Sequence, residues 1–200
     1  ANDAGTAIGA ALFLSHQSGK INPIPKMPFW GLSYSREYIS IIVKELGFNV
    51  IKCDDPVKYI ANSLNLNKTV GWMLQEAEFG TRALGHRSIF VNPQNIIMKE
   101  KLNITKGRET WRPFGISLKY ENLSEITNDN FESPYMLKTF RLKDDIKQFY
   151  PLITHIDGTS RLQTVQENDE PTLYRLLDEF ESISGNKMLL NTSFNTGGEP

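Results

Sequence analysis

The 200-residue sequence predicts an α+β fold, a single main domain built on a mixed, twisted β-sheet with flanking helices. Two observations lead there. Short runs with strand character are interspersed with helical patterns, but without the strict strand–helix–strand alternation of a doubly wound parallel sheet. Hydrophobic residues make up 40% and charged residues 22%, an ordinary balance for a globular chain with one sizeable core.

Taken in order, Ala7, Ile8, Ala10, Ala11 and Leu14 recur at helical spacing, so residues 4–15 should form a helix with a small-residue face for close packing. Residues 19–31, with Pro23, Pro25 and Pro28, read as an irregular linker, and residues 19–34 mark the domain boundary. Helices are expected at 35–46 and 56–64, the second opening on Pro56 and carrying Val57, Ile60, Ala61 and Leu64 on one face. Strand character appears at 50–52, 70–74, 89–91, 114–118, 160–165 and 187–190. Further helices are expected at 95–103 and 172–183, with Gly185 as the cap of the latter. Residues 121–131 are polar and acidic and read as a surface loop, and no internal repeat is visible.

Lys and Arg total 22 against 23 Asp and Glu, so there is no global positive field to attract nucleic acid or an anionic membrane. Any anion site must be local. The single cysteine, Cys53, excludes an internal disulfide and fits a reducing, cytoplasmic setting. The longest apolar stretch, residues 7–14, is too short to span a bilayer and lacks a preceding basic segment, so a soluble protein without a membrane partner is expected. The chain opens inside a helical pattern and ends on the turn-forming run Asn195-Thr196-Gly197-Gly198-Glu199-Pro200, the aspect of a piece of a longer polypeptide.

Basic residues concentrate in two segments, Glu78-Phe79-Gly80-Thr81-Arg82-Ala83-Leu84-Gly85-His86-Arg87-Ser88 and Lys106-Gly107-Arg108-Glu109-Thr110-Trp111-Arg112-Pro113. Most charge runs are solvated faces, but these lie among glycine turns and strands and lack complete i,i+4 pairing with carboxylates. Lys offers a mobile point charge and Arg a rigid fork of donors, a combination suited to phosphate and carbonyl oxygens. A third segment runs from the apolar Leu189-Leu190 directly into Asn191-Thr192-Ser193-Phe194-Asn195, as a ligand-bearing strand end would, although a polar turn after a buried strand has the same composition. A fourth, Asp157-Gly158-Thr159-Ser160-Arg161, places an arginine just past a glycine turn that Asp157 fixes. His155 lacks a second ligand at metal-binding spacing and reads as a hydrogen-bonded structural histidine. Neither a Walker phosphate loop nor a nucleophile elbow is present.

These four segments, in this order, resemble the O-carbamoyltransferases that decorate nodulation factors, cephalosporins and aminoglycosides. Thr81 departs from the family pattern, where proline is usual, which bears on the rigidity of that turn and removes no charge. The resemblance implies that residues 1–18 end an N-terminal actin-like domain and that residues 35–200 form a YrdC-like domain. It further implies a divided reaction: carbamoyl phosphate and ATP, with Mg2+, yield carbamoyl-adenylate with release of phosphate and pyrophosphate, and the actin-like domain passes the carbamoyl group to a hydroxyl of a small-molecule acceptor. By the same resemblance Lys106, Arg112 and Arg161 clamp the anionic substrates. Ser193 and Asn195 hydrogen-bond in the same pocket, with Arg82, Arg87 and Arg108 in support. Asp3 matches a ligand of Fe2+ or another divalent metal whose remaining ligands lie upstream. The alternative is a YrdC-like nucleotide- or RNA-binding module related to transfer-RNA modification, against which the balanced charge counts. The acceptor and the oligomeric state, a homodimer included, stay open.

Overall fold

The computed structural model describes residues 3–20, 26–109, 111–197 and 199, the side chains of residues 3 and 4 excepted. It is an α+β structure around one six-stranded sheet. The strands are β1 (Val70–Met73), β2 (Arg87–Val91), β3 (Gly115–Lys119), β4 (Thr139–Arg141), β5 (Thr159–Val165) and β6 (Met188–Ser193). They lie in the order β1-β2-β6-β3-β5-β4. All neighbours are antiparallel except β3 and β5, which run parallel, so the sheet is mixed.

The sheet is covered on both faces, and the pleat explains which residue serves which side. Successive strand side chains point to opposite faces. Thus Ile89, Val91, Met188 and Leu190 join one apolar cluster with Met98 and Leu102 of α4 (Ile97–Thr105), while Phe90 and Leu189 join the other. That second cluster is closed by α3 (Pro56–Asn65) and α7 (Pro171–Ser184), through Ala61 and Leu64 of one and Leu173, Leu176, Leu177 and Phe180 of the other. Both helices carry proline in the first turn, where no N–H partner is needed, and Asp55 caps α3 by accepting from the Lys58 amide at 3.2 Å. Gly185 ends α7 at φ 74° and donates to Glu181 O, as read from the sequence.

Two other helices, α1 (Asp3–Gln17) and α2 (Arg36–Glu45), stand outside this core. None of α2's residues is buried. Between them, residues 26–32 lack regular structure yet pack on the body. Met27 is buried with Leu84 and Met136, and Phe29 stacks on the His86 ring at 3.5 Å. Gly31 and Leu32 exchange backbone hydrogen bonds with Ala77 at 2.9 and 3.0 Å.

Several expectations need correction. Residues 50–52 form no strand: Val50 and Ile51 are exposed, with no neighbouring strand to supply ladder bonds. The acidic stretch 121–131 is more than a surface loop. It contains the end of a 3-10 turn (Tyr120–Asn122) and the short helix α5 (Leu123–Ile126), whose Leu123 and Ile126 are buried in the first cluster. Two short elements, β4 and α6 (Asp144–Phe149), were not foreseen because each presents too few apolar residues to establish a period.

Candidate functional site

Strands β3 and β5 begin, and β6 ends, at the same side of the sheet, since Gly115 pairs with Asn191 and Ile116 with Leu162. There the chain leaves an open cavity of about 430 Å³. Arg82 enters it from the turn before β2, Arg108 and Arg112 from the loop between α4 and β3, and Arg161 from β5. Ser193, Thr192 and Asn191 form the β6 side, and Trp111 stands at the cavity with its side chain largely exposed. Gly115 also lines the cavity, and a Cβ there would lie 2.6 Å from Met136 Sδ, so a larger residue would have to displace the Met136 side chain.

No described lining residue is acidic. Glu109 approaches Arg112 at 3.5 Å, but that side chain is 54% exposed and the pair is weakly held. The remaining guanidinium groups are poorly satisfied. Arg108 donates to Pro113 O at 2.9 Å and lies over the Phe114 ring at 4.4 Å. The Nε atoms of Arg82, Arg108 and Arg161 are buried without a hydrogen-bond partner. Burial, followed by repulsion from Arg82, Arg108 and Arg112, brings the Arg161 pKa down to about 10. Burial and then Arg112 lower that of Arg108, with Glu109 opposing. Such a site is unfavourable to itself and complementary to a polyanion with several oxygen acceptors.

Of the residues singled out from sequence, Arg82, Arg108, Arg112, Arg161 and Ser193 line this cavity together. Lys106 and Asn195 lie just behind it. Lys106 Nζ donates to Ser193 O at 2.6 Å, Asn195 O at 2.9 Å and Asn195 Oδ1 at 2.8 Å, with Ser193 Oγ at 3.3 Å. Burial and then Arg108 lower its pKa. As it stands, Lys106 ties down the chain end after β6, and Gly197 packs so closely that a Cβ would meet Lys106 O at 2.7 Å. Arg87 is not brought to the cavity. Its guanidinium donates to the carbonyls of Leu32, Leu74, Gln75 and His86, joining residues 26–34 to the β1–β2 hairpin. The position of Asp3 opens α1, and its side chain lies outside the described residues.

Sequence reasoning missed the polar floor. Asn191, 1% exposed, donates to Ala83 O at 3.1 Å, Ser117 Oγ at 2.9 Å and Gln163 Oε1 at 3.2 Å. Ser117 in turn donates to Gln163 at 2.6 Å, and Gln163 to Leu84 O at 2.8 Å. The available signal was polar residues enclosed by apolar ones inside a strand, Ile-Ser-Leu and Leu-Gln-Thr-Val. His155 and Asp157 keep the structural roles read for them: His155 Nδ1 meets Thr159 Oγ1 at 3.0 Å, and Asp157 Oδ1 accepts from the Thr159 amide and hydroxyl at 3.0 and 2.7 Å.

Residues 61–200 match the family described as Carbamoyltransferase C-terminus. The chain belongs to this family. Over its whole length it is 34% identical to nodulation protein NolNO of Sinorhizobium fredii, covering 31% of that protein. Over 70% of its length it is 34% identical to the 3'-hydroxymethylcephem-O-carbamoyltransferase of Amycolatopsis lactamdurans, covering 26% of it. The chain thus spans between about a quarter and a third of the length of these carbamoyltransferase-family relatives. Among solved structures, P. abyssi Sua5 complexed with L-threonine superposes with a TM-score of 0.52 at 14% identity, over 72% of this chain and 40% of that one. T. kodakarensis HypF gives 0.50 at 17% identity, over 76% and 19%. At these identities the likeness is one of fold, and it makes the α+β domain of this carbamoyltransferase family member YrdC-like.

Proposed function

We propose that this chain is the part of an O-carbamoyltransferase that gathers carbamoyl phosphate and ATP and forms carbamoyl-adenylate. The observation that carries the reading is the convergence of Arg82, Arg108, Arg112 and Arg161 on one cavity whose described lining has no carboxylate, three of them with an unpartnered Nε. The named activity of the cephem relative supplies the reaction class. Two polyanions must be brought together for the chemistry, and their mutual repulsion is offset by fixed positive charge that needs no reorganisation. Carbamoyl phosphate, ATP and water balance carbamoyl-adenylate, inorganic phosphate and pyrophosphate. Arg161, on which burial and the charges of Arg82, Arg108 and Arg112 all act, is the central clamp. Arg112 and Arg108 reach the phosphates from the opposite loop, and Ser193 would donate its hydroxyl by turning it from Asn195 Oδ1, which accepts it at 2.6 Å.

The donor set fits anionic oxygens rather than a protein-held cation, since the described lining offers no carboxylate or imidazole. Magnesium is therefore read as arriving on the nucleotide phosphates. For Fe2+ or another divalent metal, no group of three His, Cys, Asp or Glu assembles among the described residues. Asp3 as a ligand, an actin-like domain ending near residue 18 and transfer to a hydroxyl acceptor remain proposals for the longer polypeptide. No helix among the described residues is long and apolar enough to cross a membrane.

The test is carbamoyl-phosphate-dependent exchange of pyrophosphate into ATP by the full-length protein. We expect exchange in wild type and its loss, by roughly a hundredfold or more, in Arg161→Ala. Exchange that is independent of carbamoyl phosphate, or indifferent to Arg161, overturns the reading.

A further inference from the structure

Glu78 does not line the cavity, yet one oxygen of its carboxylate accepts three backbone N–H bonds from the turn residues that follow the cavity-lining Arg82 and Ala83: Leu84 at 2.7 Å, His86 at 2.8 Å and Arg87 at 3.1 Å. The carbonyls of that turn are committed as fully. Ala83 O accepts from Asn191, Leu84 O from Gln163 and Gly85 O from Trp72 Nε1 at 2.6 Å. The amides of Leu84, His86 and Arg87 are therefore held by Glu78, while the Gly85 amide and the carbonyls of Ala83, Leu84 and Gly85 are held by side chains of the sheet.

Arg82 heads this turn, with its Nε buried and unpartnered. It needs such an anchor more than Arg161 does. Arg161 is built into β5, whereas Arg82 sits outside any strand or helix, and repulsion among the clustered guanidinium groups acts to push a loose side chain outward. A ligand that had first to order the turn would lose affinity to that ordering.

We propose that Glu78 is a positioning residue of the anion cavity, its carboxylate holding the turn at residues 83–87 so that Arg82 is aimed inward before the ligand arrives. This rests on the reading of the cavity as the carbamoyl phosphate and nucleotide site. The role belongs to the carboxylate because three amides converge on one oxygen, and a charged acceptor holds N–H donors more strongly than a neutral one.

The experiment is a double-mutant cycle on the full-length protein, reading the dissociation constant for carbamoyl phosphate by calorimetry in wild type, Glu78→Gln, Arg82→Ala and the double variant. Glu78→Gln should weaken binding about threefold to tenfold and Arg82→Ala roughly tenfold or more. The double variant should be no weaker than Arg82→Ala within about twofold, because Glu78 acts through Arg82. A merely structural Glu78 lowers thermal stability but leaves that non-additivity absent. Should Glu78→Gln not fold, Glu78→Asp, with the charge kept and the reach shortened, takes its place in the cycle. Wild-type affinity in Arg82→Ala overturns the site itself. Weakening in Arg82→Ala with wild-type affinity in Glu78→Gln, or with additive losses, overturns the role of Glu78 alone. So does failure of both Glu78 variants to fold.

Discussion

Replacing Arg161 by Met should make the folded chain more stable and its anion cavity useless. The side chain holds a charge that burial and three neighbouring arginines oppose, bringing its pKa from 12.5 to about 10. Converted at ~1.36 kcal/mol per pH unit, that is on the order of 3 kcal/mol. The cavity mouth is open to solvent, and screening reduces the figure to about 1–2 kcal/mol. Met fills similar volume without the charge, so Arg161→Met should raise the melting temperature by roughly 2–8 °C for a chain of this size. The sign holds across ordinary pH. Below about pH 10 the arginine is charged in folded and unfolded chains alike, so the penalty is fully present and the gain is equal at pH 6 and pH 9. Binding moves the other way: losing a preorganised charged donor costs on the order of 2–4 kcal/mol, about thirtyfold or more in affinity. Scanning calorimetry with and without carbamoyl phosphate reads both effects. Ligand at a hundred times the wild-type dissociation constant stabilises wild type by about 2.7 kcal/mol and, after a loss of about thirtyfold or more, should stabilise the variant by about 0.9 kcal/mol or less. An Arg161→Met protein that melts lower than wild type and gains as much from ligand would refute the electrostatic account.

Other expectations follow from neighbouring contacts. Lys106→Met removes the bonds to Ser193 and Asn195 and should cost about 1.5–3 kcal/mol per charged hydrogen bond at most. Faster proteolytic trimming after residue 193, measured by mass spectrometry, checks it. Arg112→Lys, which trades a planar fork for a point charge, should slow pyrophosphate exchange in the full-length protein about tenfold or more, or ~1.4 kcal/mol. Exposed Lys68→Ala serves as the control, and an Arg112→Lys rate within about threefold of wild type rejects that residue as a clamp. Burial lowers the His86 pKa, but the hydrogen bond and charge of Glu170, with the Glu76 carbonyl and Glu78, raise it above 6.5 on balance. The pair therefore stabilises fully below about pH 6.5 and less as pH rises through the folded pKa, so Glu170→Gln should destabilise more at pH 6 than at pH 9 in chemical denaturation. Equal losses at the two pH values would show that His86 stays neutral.

Much of this was legible in the sequence because the signals were local. The amphipathic faces of α3 and α7, with Pro56, Pro171 and Gly185 as their punctuation, follow from helical period and capping. The anion cluster was legible for another reason: glycine turns without helical carboxylate partners marked the basic segments, and the resemblance of those segments to the O-carbamoyltransferases named Lys106, Arg112 and Arg161 with Arg82, Arg87 and Arg108, of which all but Lys106 and Arg87 line the cavity. What stayed hidden was long-range. Nothing local distinguishes Arg87, which spends its donors on four carbonyls, from Arg82, which keeps an Nε free. The false strand at 50–52 had the right residues but no neighbour to pair with. In α5, two buried side chains, Leu123 and Ile126, were outvoted by the acidic residues around them.

The sheet order has a consequence for how the protein comes into being. β6 lies between β2 and β3, so the strand that joins the two halves of the sheet leaves the ribosome after the other five described strands. Until residue 193 has emerged, the β1–β2 hairpin with Arg82 and the β3-β5-β4 half with Arg161 share no ladder. Their apolar edges wait unpaired, the condition in which nascent chains rely on chaperones. The repelling arginines are thus brought face to face only once β6 has emerged, when backbone pairing along it is available on both sides to hold them there.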